Sequence, residues 1–310
     1  MRASQAWWLG VALAAVGAAS LAARQQPVFR AETAAVKVGV TVRDRSGAPI
    51  TDLDQANFTV VEDGRTQTIT YFARGDQEHG AVQTHIGLLL DTSGSMGADI
   101  DLARKAAVRF LNTLQDAVDM TLVDFDAEVR VARYTQQDFP RMVERIRSRK
   151  LGGDTAFYDA LGVYLDGAAG AEGRTVLVVF TDGGDTRSAI PFKDIMNLLR
   201  ATDVTVYSVG FLDNQPTAIR AEQRLRLTQL AEETGGEAIF PQSMKDIELA
   251  YDRVVAGIRA QYTLGYISTN PARDGRWRRL EVKVARAGAA RARDLRVLVR
   301  KGYFAPLVRP

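Results

Sequence analysis

Cysteine is absent from the 310 residues, so disulfides and thiolate metal sites are excluded and the fold must rest on its core alone. Histidine occurs only as His79 and His85, both ahead of the loop that carries the most chemistry, and neither is expected to act as a general base. A phosphate-binding Gly-Lys-Ser/Thr loop is missing, and Gly94-Ser-Met-Gly97 lacks the three-glycine spacing of a dinucleotide site. Charge of one sign is not in large excess, the formal net being +3. With 46% hydrophobic residues the chain can bury a sizeable core, and its length suits two domains.

Long apolar runs are missing too, except at the start. MRASQAWWLGVALAAVGAASLAAR has a basic beginning, an apolar run from Ala6 to Ala19 and small residues around Ala22, the layout of a secretory signal peptide over residues 1–23. Cleavage is expected after Ala22 or Ala23, which makes the protein secreted or periplasmic. An uncleaved N-terminal membrane anchor is the alternative, because the run nearly spans a bilayer. A lipoprotein anchor is not expected without a cysteine.

The most informative stretch is HIGLLLDTSGSMGAD, residues 85–99. Ile86 to Leu90 is a short apolar run, as expected of a strand buried on both faces, and it stops at Asp91. Asp91, Ser93 and Ser95 then alternate through a Gly-containing turn that feeds a helix, with Ile100, Ala103, Ala107, Phe110, Leu111 and Leu114 as its core face. A carboxylate with two hydroxyls is hard-oxygen chemistry, suited to Mg²⁺, Mn²⁺ or Ca²⁺ and poorly to zinc. Further ligands should come from other strand-to-helix loops. Leu151-Gly-Gly-Asp-Thr155 opens a helix, and the apolar strand Thr175–Phe180 ends in Thr181-Asp182-Gly183-Gly184-Asp185. Helix capping by Asp91 and Ser95 with an ordinary turn at Asp182 is the plainer reading, but it leaves three coincidences.

These three elements, in this order, resemble the metal-ion-dependent adhesion site of von Willebrand factor type A domains, over residues 84–260. The resemblance implies a doubly wound, mostly parallel, Rossmann-like α/β sheet. It also implies a Mg²⁺ (or Mn²⁺ or Ca²⁺) held directly by Ser93, Ser95 and Thr155, with Asp91 and Asp182 binding directly or through water. Asp154 and Asp159 are read equally as hydrogen-bond partners behind the ligands or as acids at a helix N-terminus. Asp124 and Asp126 fall outside the family's metal positions and are read as surface or turn residues, and His85 as a strand-edge residue.

Around this domain the pattern is β. Residues 30–78 hold Val36–Arg43 in clean alternation, Phe58–Glu62 and Thr66–Phe72, the last two joined at Asp63-Gly64, which favours a tight hairpin. The stretch DRSGAPITDLDQANFTVVEDGRTQTITYF, residues 44–72, resembles the N-terminal part of exported type A domain proteins known mainly from acidobacteria. Residues 261–308 add Gln261–Ile267, Arg279–Val284 and Leu295–Val299. Neither set can easily fold alone, so the two are expected to pair in one small β-sandwich. Between them, helix 192–201, strand 204–211, helix 218–234, strand 237–240 and helix 244–259 keep the alternating rhythm of a parallel sheet with its site at the strand carboxyl ends.

Three functions compete. A binding module, not an enzyme, would use the cation to capture an Asp or Glu of a protein partner. A metal-dependent hydrolase is disfavoured, since no second Asp follows Asp91 to serve as acid or base. A cell-envelope attachment protein would use the C-terminal segment, which carries net +9 from Ala260 onward, to hold anionic ligands. Those charges alternate with apolar residues and aromatic interleaving is sparse, Trp277 between arginines being the only candidate, so a solvated sheet face is the better reading and no nucleic-acid partner is expected.

Overall fold

The computed structural model describes residues 35–75, 83–113, 117–171, 173–285 and 295–307. The expected signal peptide and His79 lie outside them. Strand β1 is Val36–Arg43, with Val38, Val40 and Val42 fully buried as the alternation requires. Strands β2 (Phe58–Glu62) and β3 (Arg65–Gln67) form a hairpin turned by Asp63 and Gly64, both at positive φ (46° and 82°), the geometry an Asp-Gly pair tolerates best. The single strand expected over Thr66–Phe72 is two strands. The chain leaves β3 at Thr68 and enters β4 (Ile69–Arg74) in a different sheet. A run of Thr and Gln alternates as well at a corner as along an edge, so its pattern does not mark the crossing.

The α/β domain follows as β5 (Thr84–Asp91), α1 (Ile100–Thr113), β6 (Asp119–Phe125), β7 (Val129–Tyr134), α2 (Phe139–Ser148), α3 (Phe157–Ala168), β8 (Arg174–Thr181), α4 (Phe192–Ala201), β9 (Val204–Gly210), α5 (Thr217–Glu233), β10 (Ala238–Ile239) and α6 (Met244–Arg259). The sheet order is β10-β9-β8-β5-β6-β7, parallel throughout except for β7, which returns antiparallel to β6. The apolar centres of β5, β8 and β9 are buried on both faces because helices cover each side. On one side α1 and α6 pack with Phe110, Leu111, Val254 and Ile258; on the other α3, α4 and α5 pack with Phe157, Leu161, Leu199 and Leu227. Helix α2 has no counterpart in the sequence reading. Four of its ten residues are charged, and it buries only Met142 and Ile146, four residues apart. His85 is the second residue of β5, near the strand's amino end but in a central strand of the sheet, with its Nδ1 3.0 Å from Asp119 Oδ1.

After α6 come β11 (Tyr262–Tyr266), β12 (Trp277–Val284), β13 (Arg296–Val299) and β14 (Gly302–Phe304), the last too short for its pattern to show. They pair with strands from the other end of the chain in two four-stranded sheets, β13-β1-β11-β4 and β14-β12-β2-β3. Val40, Val60, Tyr262, Leu264, Leu280 and Val282, from both sheets, belong to one buried cluster. The chain enters and leaves the α/β domain at adjacent points: a Cβ on Gly75 would stand 2.4 Å from the Arg259 carbonyl. The basic segment is not simply a free charged face. Arg278 is buried against Asp274, Arg296 lies 3.4 Å from Glu237, and Arg300 pairs with Asp203.

One ionic group joins the mixed sheets to the domain. Arg43, 1% exposed at the end of β1, places Nη2 3.2 Å from Glu237 Oε2, while Arg253 on α6 reaches Glu237 Oε1 at 2.6 Å. Removing the carboxylate would strand a buried guanidinium, which costs roughly 3–5 kcal/mol. Urea unfolding of Glu237→Ala should show a loss of that order, and the double replacement Arg43→Met with Glu237→Leu a smaller one, because no buried charge is left alone.

Candidate metal centre

Asp91 ends β5 in the centre of the sheet, where the carboxyl ends of parallel strands open a crevice. Its Oδ1 accepts from Ser93 N (2.9 Å) and its Oδ2 from the Thr181 hydroxyl (2.6 Å) at the end of β8. Ser93 Oγ lies 3.1 Å from Ser95 Oγ. The first loop is therefore folded back so that its two hydroxyls stand together beside the carboxylate.

The Thr155 loop docks on it through the backbone: Gly152 N donates to Thr92 O (2.7 Å) and Gly94 N to Gly153 O (3.1 Å). Gly152 must lack a side chain, since a Cβ there would lie 2.3 Å from Asp126 Oδ2. Thr155 N donates to Thr186 Oγ1, and Thr155 O accepts from Thr186 N and Arg187 N, so the second and third loops hold each other. In the third loop Asp182 Oδ1 accepts from Gly184 N and Oδ2 from Gln215 Nε2, each at 2.8 Å. Gly183 makes the turn at φ 81°. Ser95, Thr155 and Asp182 line one open pocket of about 380 Å³. All five residues expected from the sequence thus belong to one cluster of interlocked loops.

Several details differ from expectation. Asp91, Ser93, Thr155 and Asp182 are at most 4% exposed, because each loop is covered by its neighbours rather than standing free. Asp124 and Asp126 are buried, not on the surface. Asp124 accepts from Arg145 Nε (2.6 Å) and Asp126 from Arg130 Nη1 (3.1 Å), and Asp126 O accepts from Ala156 N, so they brace the Thr155 loop from behind. Asp159 accepts from Ala189 N and Ile190 N and ties α3 to the third loop, whereas Asp154 is an exposed partner of Arg187. Thr181, Gln215 and Thr186 complete the network. Gln215 lies on the loop between β9 and α5, where neither periodicity nor spacing marks a site.

The donor set can be tested for its fit to a cation. Among the described residues no three or more His, Asp or Glu side chains cluster as a metal group, so any ion here would depend on hydroxyls as well as on the two carboxylates. Those carboxylates are both buried, and among the described residues neither forms an ion pair with Lys or Arg. Burial, with the charge of Asp182 acting in the same direction, pushes the Asp91 carboxyl up to about 7. Two buried acids that form no ion pair among the described residues, with the hydroxyls of Ser93, Ser95 and Thr155 in the same loops, suit a hard divalent cation.

A family model of the von Willebrand factor type A domain matches residues 85–252. Curated protein sequences give no match. Among solved structures, a von Willebrand factor type A protein from Catenulispora acidiphila is 13% identical, with a TM-score of 0.49 over 90% of this chain and 76% of its own. The open conformation of the pilus adhesin SpaC from Lactobacillus rhamnosus GG is 11% identical, with a TM-score of 0.50 over 86% of this chain and 48% of its own. Proximal thread matrix protein 1 of the mussel byssus is 21% identical, with a TM-score of 0.44 over 56% of this chain; the match spans 47% of that protein, about half its length. Likeness at these identities concerns the fold alone.

The raised Asp91 fixes the sign of a pH dependence. Between the unfolded carboxylate value, about 4, and about 7, the folded metal-free chain keeps a proton that the unfolded chain has lost. That contribution to stability is complete below the window and is lost as pH rises through it. In EDTA the melting temperature should therefore fall between pH 5 and pH 8, and Asp91→Asn should flatten this part of the profile. Mg²⁺ needs the ionised carboxylate, so it should raise the melting temperature more at pH 8 than at pH 5.

Proposed function

Because the chain belongs to the von Willebrand factor type A domain family, we propose that it is a non-enzymatic binding module that captures an Asp or Glu of a protein partner through a divalent cation. The observation that carries this reading is the pair of buried carboxylates, Asp91 and Asp182, neither ion-paired with Lys or Arg among the described residues, next to the buried Ser93 hydroxyl, with Ser95 and Thr155 lining an open pocket. Ser93, Ser95 and Thr155 would hold Mg²⁺, Mn²⁺ or Ca²⁺ directly, and Asp91 and Asp182 directly or through water. When bound, the cation supplies an electrophilic position that a partner's carboxylate can occupy, since hydroxyls neutralise it less than carboxylates would. The chain's own part is to hold the hydroxyls still. Thr181 fixes Asp91, Gln215 fixes Asp182, and the docked backbones fix the Thr155 loop.

Hydrolysis is a poorer reading. His85 stands at the other end of β5, six residues and roughly 20 Å from Asp91. Electrostatic attachment through the C-terminal segment is weakened by the pairing of Arg278, Arg296 and Arg300. The apolar N-terminal segment supports export to the cell envelope, where the partner would be met. Among the described residues no helix is long and apolar enough to cross a membrane.

The test is capture of partners from the cell envelope with Mg²⁺ or with EDTA, using the whole chain. Binding should need the metal. Ser93→Ala and Thr155→Ala each remove one oxygen from a buried loop and should reduce retention at least tenfold with little change in melting temperature, while Lys283→Glu should be nearly silent. Equal capture in EDTA, together with a larger effect of Lys283→Glu than of Ser93→Ala, would support electrostatic attachment instead.

The same reading extends to architecture: the two mixed sheets form one β-sandwich into which the type A domain is inserted. Its support is the strand pairing between the chain's two ends, the shared cluster and the adjacent entry and exit points. Residues 84–260 alone should then melt cooperatively, whereas a chain truncated after Ala260 should bind a hydrophobic dye through its unpaired N-terminal strands. A cooperative fold of residues 30–78 alone would refute the split sandwich.

A further inference from the structure

Beside the metal loops lies a buried amide oxygen that accepts no hydrogen bond among the described residues, and we infer that Gln223 reads the main-chain peptide group flanking the partner's acidic side chain. The inference rests on the metal-dependent capture proposed above. Gln223 lies on α5 and is 7% exposed, yet its Oε1 is buried with no hydrogen-bond partner. Such an acceptor is costly to keep unless something satisfies it. Gln67, another buried glutamine, is satisfied at both ends of its amide: Nε2 donates to Thr269 Oγ1 at 3.0 Å, and Oε1 accepts from the backbone N–H of Thr269 at 2.9 Å.

Position makes the difference informative. A Cβ built on Gly184 would stand 3.0 Å from Asp182 Oδ1 and 3.3 Å from Gln223 Nε2, so both side chains face the same small space, which stays open because residue 184 is glycine. Ser95, Thr155, Asp182 and Gln223 line one continuous pocket of about 380 Å³. In an aspartate the carboxylate is only two bonds from Cα, so a residue whose carboxylate meets the hydroxyls carries its own peptide groups into this pocket. A side-chain amide offers one acceptor and two donors, and by turning about its last bond it can meet either the N–H or the C=O of a peptide. The site would thereby distinguish an acidic residue within a polypeptide from a free carboxylic acid.

The probes are sodium propionate and N-acetyl-aspartate N′-methylamide, titrated calorimetrically into the whole chain with saturating Mn²⁺ or with EDTA. On the unaltered chain with Mn²⁺, the capped aspartate should bind about tenfold more tightly than propionate, the worth of one well-made hydrogen bond. Gln223→Met should abolish that advantage while leaving the affinities for propionate and Mn²⁺ unchanged. Its melting temperature should be equal or higher, because an unsatisfied buried amide has been replaced by an apolar side chain of similar size. Gly184→Ala, which fills the shared space, should also abolish the advantage. The inference is overturned if the capped aspartate has no advantage on the unaltered chain, or if Gln223→Met retains it. Absence of any Mn²⁺-dependent binding of either probe would overturn the capture reading itself, and this inference with it.

Discussion

The parallel register between β5 and β8 decides where the chemistry can occur. Leu90 pairs with Phe180, so Asp91 and Thr181 leave the sheet side by side and the Thr181 hydroxyl reaches Asp91 across a single strand spacing. Asp182, one residue further, is thereby brought close enough for its charge to act on Asp91. A slip of one residue would turn every side chain of β5 to the opposite face and remove this meeting. The buried apolar runs on both strands prevent the slip, since Leu88, Leu90, Val176 and Val178 fill the core under one helical layer, and Leu89, Leu177 and Val179 fill it under the other. Core packing and site geometry are therefore one constraint.

Much of this was legible in the sequence because buried parallel strands and loops rich in carboxylates and hydroxyls both leave local marks. An apolar run ending in Asp-x-Ser-x-Ser can be read from a few residues, as can the Asp63-Gly64 turn. What could not be read depends on partners far along the chain. Asp124 and Asp126 look like surface acids until Arg145 and Arg130 are known to cover them. Gln215 and Gln223 look like any polar residues until the loop after the neighbouring strand β9 and the helix α5 that follows it bring them beside Asp182 and Gly184. The break at Thr68 is invisible for a related reason: a strand that changes sheets keeps its alternation, and only the identity of its neighbours changes.

The two four-stranded sheets each take strands from both ends of the chain, and the buried cluster that holds Tyr262 and Val282 draws its residues from both ends as well. Glu62 illustrates the same dependence in polar form. This buried carboxylate on β2 accepts hydroxyl groups from Tyr266 on β11 (2.7 Å) and Tyr303 on β14 (2.8 Å), so its hydrogen bonds are complete only when both ends of the chain are present.

The adjacency of Gly75 to Arg259 bears on mechanical load. The crossing points into and out of the α/β domain lie at the amino ends of the parallel strands, near Thr84 and Arg174, whereas Asp91, Thr155 and Asp182 lie at the carboxyl ends. A pull applied at those loops and resisted at the crossing points runs lengthwise along β5 and β8. The hydrogen bonds of that ladder stand across the direction of force and must shear together rather than open one after another. Tethered by its two crossings, the domain would meet tension along its strongest axis.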